Sequence, residues 1–281
     1  MTRSVAYYEM RGALEPRVGP AMSGDALVLS NIEKGSAIAQ PRKGLCIRYV
    51  GRGREDYRIG GRSHRLDAGH IMISTCELAA EVEVRKGDPS GTFGLCALLV
   101  GEDEELPWVF GPLVAGVDCT AIGATMKASA GSFRTSQQRH ELAAQLIAAL
   151  RERMPALTRT ILAQAANIDA AKPATRYEMV RRVALAQACL HATLDRAVDL
   201  DELGRAVGTS PFQLLRGFQH CLGETPASYH RKLRLERALE EARRRRVTIS
   251  QVADDFGFAG VSSFSHAYRR AFGHSPRHAL G

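Results

Sequence analysis

The part of the chain from residue 200 onwards contains one apolar pattern twice, and this duplication limits the possible folds more than any other feature. The first copy consists of Leu200, Leu203, Val207, Gly208, Leu214, Phe218, Leu222, Gly223 and Pro226. The second copy consists of Ile249, Val252, Phe256, Gly257, Phe264, Tyr268, Phe272, Gly273 and Pro276. The copies are offset by 49 residues up to the internal glycine and by 50 residues after it, so the second turn is one residue longer.

Each copy predicts two short helices joined by a tight turn. Gly208 and Gly257 end the first helix of their copies, because glycine enters the left-handed conformation at little cost. Ser210 is the expected cap of the next helix and Pro211 its first residue. The four-residue spacing of the apolar positions buries one face of this second helix and leaves the other face free. In a helix-turn-helix the second helix enters the major groove of DNA, so each copy predicts such a unit.

A longer helix is predicted between the two copies. Thr225 is its expected cap, Pro226 its first residue, and its core stripe consists of Tyr229, Leu233, Leu239 and Ala242. A helix of about 20 residues is roughly 30 Å long. One turn of DNA is roughly 34 Å, so this helix has the length to hold two recognition helices in successive major grooves.

The basic excess of the chain is concentrated in the same region. Residues 173–281 carry 17 Lys and Arg against 11 Asp and Glu, a net charge of +6, whereas residues 1–172 carry 21 against 19, a net charge of +2. Positive charge favours phosphate, because each neutralised phosphate releases condensed counterions. The charge distribution therefore agrees with nucleic-acid binding, although many basic proteins bind no nucleic acid.

The stretch from Leu200 to Leu280 resembles the DNA-binding domain of the AraC/XylS transcription regulators. The likeness rests on three motifs: Tyr229-x3-Leu233-Arg234-Leu235-Glu236-Arg237-Ala238, Ile249-x2-Val252-Ala253-x2-Phe256-Gly257-Phe258, and Phe272-Gly273-His274-Ser275-Pro276. The resemblance implies a bacterial origin, promoter binding, contact with RNA polymerase and activation of transcription. With a first helix within residues 176–196, the expected DNA-binding domain spans residues 171–281.

The same resemblance implies which residues of the first recognition helix contact bases. The matching positions are Phe212, Leu215 and Arg216, with Ser210, Gln213 and Gln219 nearby. Arg216 is the foremost candidate, because a guanidinium can bond guanine O6 and N7 together. Phe212 and Leu215 have the apolar surface to pack on thymine methyl groups, although Phe212 could instead belong to the core.

The second recognition helix offers smaller side chains. Its equivalent positions are Val261, Ser262, Ser265 and His266. Serine hydroxyls discriminate poorly between bases, so phosphate positioning is an alternative role for Ser262 and Ser265. Outside the recognition helices, the predicted phosphate contacts are Arg231, Arg234 and Arg269.

Residues 1–170 predict a regulatory and dimerisation domain that begins with strands. Short apolar runs at 45–50, 57–59, 63–66, 71–73 and 91–100 alternate with turn signals, a pattern typical of a β-barrel or sandwich. From about residue 135 the composition predicts an amphipathic helix over Glu141–Arg153, an interruption at Pro155, a second short helix and a linker at 170–174. These helices either pack on their own barrel or form a dimer face.

In the AraC/XylS family the partner domain is commonly a cupin-like barrel with dimerisation helices, and residues 57–71 look like such a barrel. The resemblance therefore implies an α+β chain: an N-terminal cupin-like β-barrel with dimerisation helices, then an all-α domain with two helix-turn-helix motifs. It also implies a homodimer.

Positive charge in the N-terminal half suggests an anionic effector. Strand alternation turns some arginines of segment 42–65 inward, where an unpaired guanidinium is costly, and a small anionic ligand would satisfy them. The candidate effector-binding residues are Arg42, Lys43, Arg48 and Arg58. The alternative is a solvated barrel face with internal salt bridges, in a domain that only dimerises or binds another protein.

Catalysis, cofactors and metal binding are not expected. His64 and His70 lack the H-x-H spacing that places two ligands on one strand face, and the six cysteines stand at least 20 residues apart. We interpret the cysteines as buried or half-buried thiols rather than metal ligands or disulfides. The same spacing argues against an enzyme fused to a DNA-binding domain, as in related DNA-alkylation repair proteins, which needs a cysteine cluster for zinc.

The sequence also predicts where the protein acts. No apolar run reaches the roughly 18 residues that span a bilayer, and the first residues lack the apolar stretch of a signal peptide. The expected location is the cytoplasm, with double-stranded DNA as the main partner and no membrane contact.

Overall fold

The chain folds into two compact units. The computed structural model describes residues 5–18, 25–39, 44–77, 79–97, 111–130 and 135–280. The first unit is Met1–Leu185 and the second is Ala186–Gly281. Their boundary lies inside a helix, α3 (Pro173–Ala192), whereas the sequence led us to expect it between residues 170 and 171. Within the described ranges, no helix combines the length and the apolar composition needed to span a membrane.

The described part of the first unit contains a nine-stranded sheet. Its strands are β1 (Ala6–Val18), β2 (Ala26–Ala39), β3 (Leu45–Arg52), β4 (Arg54–Ile59), β5 (Arg62–Asp67), β6 (His70–Thr75), β7 (Ala80–Val84), β8 (Ser90–Ala97) and β9 (Leu113–Gly116). Along the sheet their order is β5-β4-β7-β2-β8-β3-β6-β9, and β1 pairs with β2 in parallel. The end strand β5 contacts β3 and β6, so the sheet curls into the predicted barrel and nearly closes it.

The strand predictions are confirmed wherever the residues are described. The run at 45–50 is β3, and the Gly60-Gly61 turn joins β4 to β5. Both glycines have the positive φ angles, 57° and 76°, that a tight hairpin turn requires. The run at 91–100 corresponds to β8, and its last residues, 98–100, lie outside the described residues.

The barrel interior combines an apolar cluster with one buried carboxylate. The cluster consists of Val50, Tyr57, Ile59, Leu66, Met72 and Val114. The buried Glu55 carboxylate accepts hydrogen bonds from Ser90 Oγ at 2.9 Å, from Thr92 Oγ1 at 2.6 Å and from the Tyr57 hydroxyl. These three donors offset the cost of removing the carboxylate from water, and the bonds from Ser90 and Thr92 tie β4 to β8, which are not neighbours in the sheet.

One continuous helix, α2 (Ser136–Ala166), runs through Pro155, so the prediction of two helices separated there is wrong. Proline removes one backbone hydrogen bond and crowds the preceding turn, at a cost of roughly 3 kcal/mol. The buried positions stay in phase on both sides of it: Leu150, Met154, Thr158, Ile161 and Ala165. The packing of this stripe offsets the cost. The helix contacts β1 and the shorter α1 (Ala121–Ser129), so it packs on its own barrel.

The second unit contains the two predicted helix pairs. Its helices are the end of α3, then α4 (Leu200–Val207), α5 (Pro211–Leu222), α6 (Pro226–Arg245), α7 (Ile249–Val252), α8 (Val261–Phe272) and α9 (Pro276–Leu280). A 3-10 turn at Asp254–Phe256 follows α7. The first pair is α4 with α5, the second is α7 with α8, and α6 joins them. α6 has 20 residues, which agrees with the prediction.

The predicted helix starts after Ser210 and Thr225 and the predicted helix end at Gly208 are confirmed, whereas α7 ends at Val252, before Gly257. Ser210 Oγ and Thr225 Oγ1 each accept a hydrogen bond from the backbone N–H three residues ahead, at 3.3 Å and 3.2 Å. Gly208 ends α4 at φ 71°, and Gly257 ends the 3-10 turn at φ 66°. Both values lie in the left-handed region that favours glycine. Local cap chemistry therefore sets where α5 and α6 begin.

Candidate nucleic-acid interface

The first recognition helix, α5, has one buried face and one exposed face. Leu214, Gly217 and Phe218 are buried. The other face carries the predicted base-contacting residues, of which Leu215 is half-buried and four are exposed: Phe212, Gln213, Arg216 and Gln219. The Ser210 hydroxyl caps the helix. Phe212 is 67% exposed, which rules out its alternative place in the core. The Arg216 guanidinium carbon lies 5.7 Å from the centre of the Phe212 ring, so these two side chains form one exposed pair.

The second recognition helix, α8, repeats this arrangement with smaller groups. Phe264 and Tyr268 are buried in the core. Val261 is 43% exposed. Of the other predicted positions, Ser262 and His266 are exposed and Ser265 is half-buried. The residue before the helix is Gly260, at φ 109°, and it supplies no side-chain cap.

A basic groove of about 620 Å³ lies between α6 and α8. Its polar lining consists of Ser228, Arg231, Lys232, Ser263, His266 and Arg270. Sequence reasoning found Arg231 and His266 but missed the other four residues. The spacing of four between His266 and Arg270, which places them on one helix face, was the available signal, but their position opposite α6 depends on tertiary packing.

Arg234 in α6 contacts the turn between the two helices of the second pair. Its side chain is buried, and its guanidinium donates hydrogen bonds to the backbone carbonyls of Phe256 and Gly257. The structure therefore contradicts the predicted phosphate contact of Arg234, because the guanidinium is turned inward and occupied. Arg231 and Arg269 are exposed and remain predicted phosphate contacts.

The first helix pair is held by polar contacts between α6 and the end of α3. His230 Nε2 lies 2.6 Å from Thr193 O. Burial lowers the pKa of His230, so the neutral ring donates a hydrogen bond from Nε2–H to this carbonyl. The Tyr229 hydroxyl lies 2.7 Å from His191 Nε2, and the Tyr229 ring packs edge-on against Phe218 of α5. These contacts fix the buried side of α5 and thereby orient its exposed side.

Most arginines of the N-terminal segment are paired within the first unit. Arg54 pairs with Asp67 at 2.6 Å. Arg65 pairs with Asp56 at 3.1 Å, and Arg62 pairs with Glu178 at 3.3 Å. These contacts favour the alternative of a solvated face with internal salt bridges.

The candidate effector residues separate into three groups. Arg42 and Lys43 lie outside the described residues. Arg58 is exposed and pairs with Glu81 at 3.1 Å. This contradicts the prediction that Arg58 faces inward and binds an effector. Arg48 is half-buried and faces the interior, where its guanidinium carbon lies 5.9 Å from the centre of the Tyr57 ring.

The histidines and cysteines of the described residues form no metal site, although two of the cysteines are in contact. In the part of the chain that the structure describes, no group of three or more His, Cys, Asp or Glu side chains is arranged to hold a metal ion. His70 Nδ1 accepts a hydrogen bond from Asp67 N at 3.2 Å, while burial lowers the pKa of His64. Cys46 and Cys96 are close neighbours in space, with their Sγ atoms 3.4 Å apart. Their separation of 50 residues hid this contact from sequence reasoning.

Comparisons with known proteins agree with the geometry of the second unit. A helix-turn-helix domain model matches residues 203–280. The chain is 41% identical over 90 residues to the HTH-type transcriptional regulator GbdR of Pseudomonas aeruginosa, which covers 32% of this chain and 24% of that protein. It is 29% identical over 94 residues to a putative AraC-like transcription regulator of Streptomyces lividans, which covers 34% of this chain and 31% of that protein.

A crystal structure of a transcriptional regulator with an AraC-type DNA-binding domain, from Chromobacterium violaceum, is 30% identical. The match covers 35% of this chain and 88% of that chain, with a TM-score of 0.34. The chain spans about a quarter of the length of GbdR.

The second unit is therefore a helix-turn-helix domain that contains two helix-turn-helix motifs. It is a domain of the AraC type, which confirms the resemblance seen in the sequence.

Proposed function

We propose that this protein binds double-stranded DNA sequence-specifically in the cytoplasm and regulates transcription. The observation that carries the proposal concerns exposed apolar side chains. Among the described residues three large ones are exposed: Ile38, Phe212 and Val261. Phe212 and Val261 stand in the first turns of α5 and α8. Large apolar groups exposed in the first turns of both recognition helices call for a partner surface, and thymine methyl groups in the major groove offer one.

Base readout is assigned mainly to α5. The Arg216 guanidinium is exposed beside Phe212, which supports a role in bonding a guanine edge while the ring packs on a neighbouring thymine. Gln213 and Gln219 extend the polar contact along the same helix, and Leu215 adds apolar surface. α8 contributes weaker readout through Val261, Ser262, Ser265 and His266, because small hydroxyls distinguish bases poorly.

Phosphate binding is assigned to the basic groove between α6 and α8. Arg231 and Lys232 line it from α6, and Arg270 lines it from α8. Lys232 also pairs with Glu224 at 3.0 Å, so its charge is partly offset. A DNA backbone in this groove gains counterion release from each neutralised phosphate. Arg269 adds an exposed positive charge on α8.

The test uses the full chain to select bound fragments from genomic DNA, followed by footprinting of the enriched sites. We expect a bipartite footprint with two contacts on one face of the duplex, about one helical turn apart. Affinity should fall steeply with salt. Enrichment of no sequence over an unrelated duplex, at any salt concentration, would contradict sequence-specific binding.

Activation is the proposed regulatory outcome, with a homodimer contacting RNA polymerase. The first unit, with its barrel and long α2, is the proposed dimerisation part. Transcription from a selected fragment with purified RNA polymerase should rise when the protein is added. Sedimentation should show a dimer at the concentrations used. Repression in the same assay, or a monomer that activates, would contradict this proposal.

A small anionic effector is proposed for the first unit on the basis of Arg48. Its guanidinium faces the barrel interior near Tyr57, where a carboxylate or phosphate would complete its hydrogen bonds. A thermal-shift screen of carboxylates, fatty acids and nucleotides should find a ligand that stabilises the protein. Arg48→Met should abolish the shift, and Arg58→Met should keep it. If no compound stabilises the protein, the first unit serves only for dimerisation or partner binding.

A further inference from the structure

Three cysteines that are distant in sequence meet in the barrel. They lie at the end where β3 begins and where β6 and β8 end. Cys46 in β3 and Cys96 in β8 are direct partners in the antiparallel pairing, with Sγ atoms 3.4 Å apart. Cys76, just after β6, is held there by a hydrogen bond of 2.8 Å from its backbone N to Gly44 O. Its thiol hydrogen-bonds with the other two.

The surroundings of Cys46 favour its thiolate form. Hydrogen bonds from the Cys76 and Cys96 thiols, aided by the charge of Arg48, hold the pKa of Cys46 well below its usual range despite its burial. Arg48 lies two residues further along β3 and therefore on the same face. Donating a hydrogen bond to Cys46 raises the pKa of Cys96 to about 12, so Cys96 stays a thiol. The cluster thus sets one thiolate, Cys46, beside two thiols, Cys76 and Cys96.

We propose that Cys46 is a site of oxidation by hydroperoxides and that Cys96 then closes a disulfide between β3 and β8. In the first step the Cys46 thiolate attacks the terminal peroxide oxygen, and the O–O bond breaks. Cys46 becomes a sulfenic acid, and the leaving alkoxide or hydroxide takes up a proton to give an alcohol or water. In the second step Cys96 Sγ attacks Cys46 Sγ, the S–O bond of the sulfenic acid breaks, and the Cys96 thiol proton leaves with the hydroxide as water. Two thiols are oxidised by two electrons, and the peroxide is reduced by two.

The backbone already suits this disulfide. Directly paired residues on antiparallel strands have Cα atoms about 4.5–5.5 Å apart, and disulfides accept about 4.4–6.8 Å. Only the side chains need to move, from an Sγ–Sγ distance of 3.4 Å to about 2.05 Å. Cys46 is half-buried, whereas Cys96 is buried. Together with its lowered pKa, this difference makes Cys46 the member of the pair that we expect to react with the oxidant.

The test maps disulfides in the folded full chain after treatment with one equivalent of hydrogen peroxide. Cleavage after Lys and Arg places Cys46 in residues 44–48, Cys76 in residues 66–85, and Cys96 together with Cys119 in residues 87–127. A Cys119→Ser background therefore makes the linked peptide unambiguous. Free thiols are alkylated before cleavage, and a dimedone probe traps sulfenic acids. Cys221, whose thiol pKa burial raises to about 12, serves as the internal control.

We expect the protein to lose two free thiols. One disulfide-linked pair of peptides should appear, 44–48 joined to 87–127. Cys46→Ser should prevent both, and Cys221→Ser should change neither. Alanine suits the buried position of Cys96 because it is small and apolar. Cys96→Ala should leave Cys46 either as a dimedone-reactive sulfenic acid or linked to Cys76. Oxidation of Cys46 no faster than that of Cys221, or a Cys46→Ser variant that still loses two thiols, would overturn the proposal.

Discussion

The guanidinium of Arg234 holds the backbone carbonyl of Phe256 with two hydrogen bonds, from Nε at 2.9 Å and from Nη2 at 2.6 Å. A third bond runs from Nη2 to Gly257 O at 2.8 Å. Arg234 belongs to the helix that joins the two helix pairs, and Phe256 precedes the turn into α8. The joining helix therefore fixes the turn that orients the second recognition helix.

Replacing Arg234 by methionine should destabilise the second unit. The change keeps most of the apolar stem but removes the charged donor from the carbonyls of Phe256 and Gly257, and hydrogen bonds to charged groups contribute about 1.5–3 kcal/mol. Urea unfolding of the full chain measures this loss. Arg231→Met, three residues away and exposed, should stay within about 0.5 kcal/mol of the wild type. Equal stabilities of the two variants would contradict the supporting role.

Alanine substitutions at Gly257 and Gly208 should distinguish two contributions to the loss of stability: the left-handed backbone conformation and the crowding of the new Cβ. Both glycines have positive φ, but a Cβ on Gly257 would lie 2.4 Å from Asp195 O, whereas a Cβ on Gly208 meets nothing within 4 Å. Gly208→Ala should therefore lose only the backbone term, about 1–2 kcal/mol. Gly257→Ala should lose clearly more in the same unfolding assay. Equal losses in the two variants would show that the crowding is relieved by a small shift of residue 195.

The buried His230 should make stability depend on pH. Burial lowers its pKa, as do the charges of Arg234 and Arg196, while hydrogen bonds to the backbone of Thr193 and Leu190 act in the opposite direction. Above the unfolded pKa of about 6.5 the ring is neutral in both states. As the pH falls below that value, the unfolded state takes up the proton first and the free energy of unfolding decreases.

His230→Gln tests this contribution, because an amide can still donate to Thr193 O but does not titrate. The variant should lose less stability than the wild type between pH 7 and pH 5, with pH 8 as the reference for each protein. Some slope should remain, since burial also lowers the pKa of His64 and of His70. Identical slopes for variant and wild type would exclude His230 as a source.

Arg216→Ala should weaken binding to a selected site by roughly 1–3 kcal/mol and relax the preference for guanine at one position. Titration at fixed salt with the selected site and with single-base variants of it measures both effects. Arg244 is exposed and pairs with Glu241, so Arg244→Ala is the matched loss of one arginine outside the recognition face. If the Arg244 variant weakens binding as much as the Arg216 variant does, Arg216 contributes only charge.

Arg270→Ala should weaken binding to all duplexes alike, because a phosphate contact carries no base information. The slope of log affinity against log salt concentration should become less steep by about 1. Measurements at several salt concentrations, on one selected and one unrelated duplex, test this. A loss confined to the selected duplex would instead assign Arg270 to base readout.

Local chemistry explains which features of the second unit could be predicted. Caps such as Ser210 and Thr225, and left-handed glycines such as Gly208, act over a few residues and are visible in the sequence. The exposed face of α5 followed from the four-residue spacing of its buried positions. The burial of Arg234 did not, because a motif shows which residue occurs but not whether its side chain turns toward a carbonyl 22 residues later.

The missed features depend on packing between distant segments. The contact of Cys46 with Cys96 requires the register of β3 on β8, which periodicity alone does not set. α2 continues through Pro155 because its buried stripe is held by tertiary contacts, which outweigh a local breaking signal. The basic groove likewise needs α8 to be placed against α6 before Arg270 faces Arg231.

The turn before α8 has a consequence for anyone who wants to redesign its DNA preference. Gly260 stands at φ 109°, where L side chains are strained, while Ser210 stands at φ −71° before α5. A serine cap therefore cannot be grafted at residue 260 by a point mutation, since the main chain enters the helix from another direction. Exchange of the two recognition helices in a chimera requires each helix to be moved together with the loop that leads into it.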